Sequence, residues 1–587
     1  MGEGKPLAQE TIPDTGASPV AGRTGGRGFS YKGKTLLSGV DPQGRADRIA
    51  ETVEVTDRTL YLCPSPLHGY GLERLLVRLA QIPDSAVLCI EAEPELFALS
   101  LENLGEALKG NPRLLLTDCI EADGLCALVR REWGSRTFKH IKTVRLNGGW
   151  QLHPALYDTL AQILQKEVAL DWGNAITLTR LGRRYIRNAL RNIARMPNCP
   201  SLDGGLSFGG EPVLVFGAGP SLDGTLDALS ARFGETLLDP KSRPFRIVCV
   251  DTCLWALKAR GVTPDLAVVL ESQHWNLEDF VGLSGWKVPV AMDLSALPRS
   301  GGVLSGGLCF FFTPWTQLRI FDRLRVFGLL PTTLPPLGSV GLNAVAIALR
   351  LTRGAVITAG LDFSFSLDLF HARSSPGHNA KLRRHNRFTG LLNADAVFGG
   401  AVFAATSKDG TTVLSSPALR NYRDLFEREF AAFSEGSTPP RLFDIAGKGL
   451  PLGIKPLPHS TAFDLLATGT PIVASGAMPP SRAIEKGETV ALAEKLMAFN
   501  LAERDRLLTL RAMLTGNARM DHQMLDTLID ECDYLWAHFP DYAARKRRPP
   551  RAELEAGTDT AVSFLKRLRV EIDPFLGLFT DHSQPLY

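Results

Sequence analysis

Residues 213–223, Val-Leu-Val-Phe-Gly-Ala-Gly-Pro-Ser-Leu-Asp, constrain this chain more than any other stretch. The apolar run Val213–Phe216 is what a parallel strand buried on both faces requires. Gly217 and Gly219 remove the side chains that would hold a ligand off the backbone. Pro220 suits the first turn of a helix, where its missing N–H is not needed. Ser221 and Asp223 put polar groups into that turn. The pattern predicts a strand, a tight turn and an exposed helix N-terminus, whose unpaired N–H groups and dipole attract phosphate. A nucleotide or sugar-nucleotide is the natural guest. A Gly-x-Gly pair also serves wherever a strand needs a sharp corner.

A chain of 587 residues is too long for one ordinary domain. Its net charge of +3 is close to neutral for that size, which argues against a dedicated nucleic-acid binder. No apolar run reaches the length of a membrane span, and the first residues lack the apolar core of a secretory signal. The nine cysteines are scattered without metal-ligand spacing, and Cys89, Cys249 and Cys309 lie in apolar runs. These features lead us to expect a cytoplasmic protein.

The expected architecture is α/β: two Rossmann-like parallel-sheet domains followed by a C-terminal α-helical region. Residues 1–30, rich in Gly, Pro, Ser and Thr, read as a disordered lead-in. In residues 31–198, strands at Leu60–Leu62 and Ala86–Ile90 flank a turn and a helix at Leu72–Gln81, and Glu91 closes the second strand. An arginine-rich amphipathic stretch, Leu178–Met196, leads to the second domain. That domain, residues 204–456, alternates candidate strands at Val213–Phe216, Arg246–Val250, Leu266–Leu270, Val288–Met292, Leu308–Phe312 and Ala355–Ala359 with helical segments. Residues 459–587 read as helical at Ala483–Leu510, Met520–His538 and Ala552–Leu568. The basic run Arg545–Arg551 reads as a solvated linker, or as a docking point for an acidic partner.

Ligands of an open parallel sheet sit beyond the carboxyl ends of its strands. Asp251 and Thr252 follow one strand. The carboxylate suits ribose hydroxyls or a base amine, and equally suits capping the helix near Cys253. Glu271 and Ser272 end the next strand, where a buried rim acid would hold a metal or a sugar hydroxyl. Asp265 reads as structural. Gly338 and Ser339 open a second helix N-terminus, read as an anion site or as close packing on the sheet. The strand Ala355–Ala359 runs into Gly360-Leu361-Asp362 and a loop with His371 and Arg373. His371 is a candidate base and Arg373 a partner for phosphate or carboxylate. No set of residues has convincing metal-ligand spacing.

Four ordered motifs carry a resemblance. They are Gly-Ala-Gly-Pro-Ser-Leu-Asp, Asp251 ahead of Ala-Leu-Lys-Ala-Arg-Gly-Val-Thr-Pro-Asp, Gly-Ser-Val-Gly, and Gly-Leu-Asp followed by His-Ala. Together they resemble the motility-associated factor (Maf) flagellin glycosyltransferases, which share a core with the 6-hydroxymethylpterin diphosphokinase MptE-like proteins. The resemblance implies transfer of a nonulosonic, sialic-type sugar from its CMP-activated form to Ser or Thr of flagellin, supporting flagellar motility. It places Gly217, Ala218, Gly219, Pro220 and Ser221 against the donor, with Asp251 and Thr252 at the nucleoside. It puts Ser339 near the donor sugar and makes His371 the base, although Glu271 stands where the family more often shows Asp. The residues themselves add Glu271, Ser272, Gly338 and Arg373 to the expected donor site and Asp362 to His371 as the expected catalytic pair. No cofactor or metal is required beyond the CMP-sugar itself. The alternative within the shared core is an ATP- and Mg²⁺-dependent pyrophosphokinase acting on 6-hydroxymethylpterin. A non-catalytic scaffold that binds flagellar protein is a third reading.

Overall fold

The computed structural model describes residues 17–21, 27–108, 111–134, 137–204, 206–390, 401–433, 441–468, 486–516, 521–540 and 559–580. The chain divides into two compact units. One takes the residues up to Arg180 with 538–550, the other Leu181–Ala537 with 551–587.

The first unit begins with three antiparallel strands, β1 (Ala17–Ala21), β2 (Arg27–Tyr31) and β3 (Lys34–Leu37). Two of these lie in the stretch expected to be a disordered lead-in. What orders the pair β2–β3 is a small apolar cluster in which Phe29, Tyr31, Leu36 and Leu37 pack with Leu67 and Leu96. Next come four parallel strands, β4 (Thr59–Pro64), β5 (Ala86–Ile90), β6 (Leu114–Thr117) and β7 (His140–Thr143), in the order β6-β5-β4-β7. Tyr61, Cys63, Val87 and Cys89 enter one core cluster and Leu60, Leu62, Leu88 and Ile90 the other. Alternate residues thus serve opposite faces, which is why these strands read as unbroken apolar runs.

The second unit holds an eight-stranded, all-parallel sheet with a hairpin inserted in it. Its strands are β8 (Val213–Phe216), β9 (Arg246–Val250), β10 (Leu266–Val269), β11 (Val290–Asp293), β12 (Leu308–Phe311) and β13 (Val356–Ala359), then the hairpin β14 (Phe403–Thr406) and β15 (Thr412–Ser415), then β16 (Leu442–Ile445) and β17 (Pro456–Leu457). The order is β12-β11-β10-β9-β8-β13-β16-β17. The chain therefore runs outward from β8 in one direction and returns to build β13 on its other side. This reversal is the switch point at which doubly wound sheets bind ligands. Asp265 is structural: it accepts from the Ile247 N–H at 2.8 Å and pairs with buried Arg243 and Arg246 at 2.7 and 3.0 Å.

The C-terminal region is helical at Lys486–Leu514, His522–Glu531 and Asp559–Thr580. Buried Glu503 anchors it to the sheet domain by accepting from Arg323 at 2.5 and 3.0 Å, and it also accepts from Arg506 of its own helix at 2.7 Å. The run Arg545–Arg551 lies outside the described residues. Among the described residues no helix is long and apolar enough to cross a membrane.

Candidate functional site

The glycine turn after β8 and the segment Gly360–Asp362 after β13 face each other across the switch point. They are stitched together by backbone. The Gly217 N–H donates to Ala359 O and the Gly219 N–H to Gly360 O, each at 2.8 Å. Both glycines are required by space, not by rotation. A Cβ on Gly217 would lie 2.5 Å from Gly360 O and from Leu361 Cδ2, and one on Gly219 would lie 2.5 Å from Asp362 Oδ2. A Cβ on Gly341, in the first turn of the helix Val340–Leu351, would lie 2.6 Å from the same Leu361 methyl. Two helix N-termini, those of Leu222–Phe233 and Val340–Leu351, are thereby brought to one leucine.

Asp362 changes the reading of this corner. Its Oδ2 accepts from the Ser221 N–H at 2.7 Å and its Oδ1 from Ser221 Oγ at 2.5 Å. The anion at this helix end is the protein's own carboxylate, and the amides of Gly217, Gly219 and Ser221 are already used. The expectation that those three bare amides receive a phosphate is corrected accordingly. The amides of Ala218, Asp223 and Gly224 have no acceptor among the described residues. Burial pushes the Asp362 carboxyl up to about 6, with Lys408 pulling the other way. Lys408, from the turn between β14 and β15, pairs with buried Asp444 at 2.6 Å, and Asp444 also accepts from Thr358 Oγ1 at 2.7 Å. One lysine thus sits among two buried carboxylates at the ends of β13 and β16.

The second polar group lies one and two strands further along. Cys253 Sγ, directly after Asp251 and Thr252, donates to Phe216 O at the end of β8. Asp251 is buried and accepts from the Thr252 N–H at 2.9 Å and from Asn276 Nδ2 at 2.6 Å. Asp279 accepts weakly from Thr252 Oγ1 and from the same Asn276 Nδ2, each at 3.4 Å. Burial raises Asp251 to about 6, and burial together with the charge of Asp251 raises Asp279 to about 7. Asn276 is fixed from its other end by Ser300 Oγ at 2.8 Å. Glu271 is not the buried rim acid expected: it is exposed, and its carboxylate accepts from the Gln273 N–H at 2.8 Å. Ser272 is buried, and its carbonyl accepts from Asn188.

That asparagine belongs to the arginine-rich stretch, the last part of the helix Pro154–Ile193. Asn188 Nδ2 donates to the carbonyls of Ser272 and Ser295, and Asn192 Nδ2 to those of Leu294 and Ala296, at 2.9 to 3.1 Å. Two amides one helical turn apart therefore hold the loops after β10 and β11. Neither Asp279, Asn276 nor this asparagine pair was legible, because nothing local marks a buried polar residue whose partner is distant in sequence.

The loop after Asp362 folds back onto the turn. The Ala372 N–H donates to Ala218 O at 2.9 Å, and the Arg373 N–H to Asp223 Oδ2 at 2.7 Å. This puts His371 beside the glycine turn. The His371 ring stands edge-on to Phe370 with centroids 5.0 Å apart. Burial, helped by the charge of Lys381, pushes it down to about 4. It is a neutral imidazole at physiological pH and a weak base. Arg373 leaves its side chain exposed. Gly338 adopts φ +65°, and Ser339 caps the second helix without a side-chain bond, its carbonyl taking the Asn343 amide at 2.8 Å. Pro220 is half-buried at the edge of the turn. Among the described residues no three His, Cys, Asp or Glu side chains converge as metal ligands.

This doubly wound sheet places the chain in a known class. Residues 187–368 match the family described as 6-hydroxymethylpterin diphosphokinase MptE-like. A solved structure of a Maf glycosyltransferase from Magnetospirillum magneticum AMB-1 has the same fold, with a TM-score of 0.54 over 97% of this chain and 92% of that one, at 13% identity. An uncharacterized protein of Treponema pallidum (strain Nichols) is 29% identical over 596 residues, covering 97% of this chain and 98% of that protein. The chain thus has a Maf fold with an MptE-like core segment.

Proposed function

We propose that the protein is a glycosyltransferase that moves a nonulosonic, sialic-type sugar from CMP to Ser or Thr of flagellin in the cytoplasm, in support of motility. The observation that carries this reading is the meeting of two helix N-termini and the His371 loop at the switch point of the sheet. The donor phosphate lies over the turn, on the amides of Ala218, Asp223 and Gly224. Asp251 and Thr252 serve the nucleoside, while Ser272, Ser339 and Arg373 serve the sugar and its carboxylate. CMP is a good leaving group, so most of the rate comes from alignment and from amides that meet charge growing on the departing phosphate.

The acceptor oxygen bonds to the anomeric carbon as the bond to the phosphate oxygen breaks, and CMP leaves with the electron pair. The acceptor proton passes to Ser221 Oγ, whose own proton passes to Asp362 Oδ1, 2.5 Å away. Asp362, held near 6, is the stronger base of the pair, and His371 accepts a hydrogen bond from the incoming hydroxyl. A single displacement of this kind inverts the anomeric centre.

The family match over residues 187–368 favours a second reading, diphosphate transfer from ATP to 6-hydroxymethylpterin with Mg²⁺. Calorimetric titration decides between them. Selective binding of CMP is expected. Binding of ATP and the pterin with none of CMP defeats the glycosyltransferase, and no binding of either nucleotide leaves the scaffold reading.

A further inference from the structure

Beyond His371 the chain carries a surface of which the site uses only Arg373. Residues 367–390 contain Arg373, Lys381, Arg383, Arg384 and Arg387 against a single carboxylate, Asp368, in a chain whose net charge is only +3. The helix Pro376–Arg384 within this stretch buries none of its nine residues. Among the described residues no carboxylate pairs with Lys381, Arg383, Arg384 or Arg387. Large apolar side chains stand among these cations: Leu367, Phe370, Leu382 and Phe388 are exposed, Phe388 at 83%. The Arg387 guanidinium lies over the Phe388 ring at 4.5 Å.

A helix with no fully buried residue contributes little to the core, and a group of unpaired cations repels itself. Both features make sense when something of opposite charge covers them. The segment is anchored at the site's edge by the Ala372 and Arg373 backbone bonds. We propose that residues 367–388 form the docking surface for an acidic segment, studded with apolar side chains, of the protein that receives the sugar. This rests on the glycosyltransferase reading. Charge complementarity selects the occupant, and the exposed aromatics supply the anchors that interfaces favour. The surface brings a protein chain to the mouth of a site whose chemistry needs only one hydroxyl.

The test uses the full-length protein with Arg383→Glu, Arg384→Glu and Arg387→Glu together, and separately Phe388→Ser. Lys381 is left alone because its charge reaches His371. All four substituted residues are exposed, so unfolding temperature is expected to hold. A short fluorescein-labelled peptide of Glu-Phe-Ser repeats is expected to bind the natural protein, more tightly at low salt, and to bind the triple variant about tenfold more weakly. Phe388→Ser weakens it without changing the salt dependence. CMP binding, measured by calorimetry, stays the same in both variants. A peptide of Lys-Phe-Ser repeats binding equally well, or no loss in the triple variant, overturns the proposal. So does displacement of the peptide by phosphatidylserine vesicles that bind more tightly. Failure to bind CMP with peptide binding intact removes the transferase and the acceptor role with it. CMP binding without peptide binding removes the docking surface alone.

Discussion

Asp362→Asn is the sharpest probe of the site. Burial lifts this carboxyl from 3.8 to about 6, roughly two pH units, or about 3 kcal/mol. Between those two values the folded protein holds a proton that the unfolded chain has lost. Stability from this group is therefore full below about pH 4 and falls as pH rises through 6. Asparagine cannot ionise, so the variant escapes that fall. Its amide oxygen still accepts the Ser221 N–H, its amide nitrogen donates to Ser221 Oγ, and Lys408 keeps Asp444 as a neutralising partner. Calorimetric unfolding of natural protein and variant at pH 4 and pH 7 measures the gap. The variant should gain about 4 °C on the natural protein between the two, from about 2 cal/mol/K of unfolding entropy per residue over the second unit. A gap that does not move with pH refutes the reasoning. A variant that loses ground as pH rises would show that Lys408 and Ser221 outweigh burial and hold the folded carboxyl below 3.8.

Lys408→Met leaves two buried carboxylates without a cation and should cost about 3–5 kcal/mol, read by chemical denaturation, whereas Lys408→Arg should cost much less. Gly219→Ala forces a methyl to within 2.5 Å of Asp362 Oδ2 and should destabilise by about 1–3 kcal/mol; an unchanged unfolding temperature would contradict the close approach. His371→Ala should lower sugar transfer while CMP binding stays nearly intact, and because His371 is held near 4, the acid limb of the pH–rate profile should fall near 6 and survive the substitution. A limb that disappears with His371 would make it the titrating base.

The sheet was legible because its strands are short apolar runs buried on both sides, and the six strands read from the pattern are the first six of the second unit. The glycine turn was legible for its shape and misread for its occupancy. A helix N-terminus after Gly-x-Gly invites an anion, and nothing local says that Asp362, 141 positions later, supplies it. Shorter separations still hide Lys408 from Asp444 and Asp251 from Asp279, since polar pairs between distant loops leave no periodic trace. Glu271 was placed correctly at a strand end, but its exposure depends on loops that the strand pattern does not describe. The strands in the lead-in were missed because composition records how little a segment can bury, not what it can lean on.

The pair Asn188 and Asn192 sets where this sheet domain can be cut. A fragment that begins at Gly204 strips four loop carbonyls of their donors and loosens the ledges that carry Ser272 and Asp293. The family match starts at residue 187, just ahead of both amides. The smallest piece able to stand alone therefore begins inside the long helix, and expression boundaries drawn at the first strand sever a clamp, not a tether.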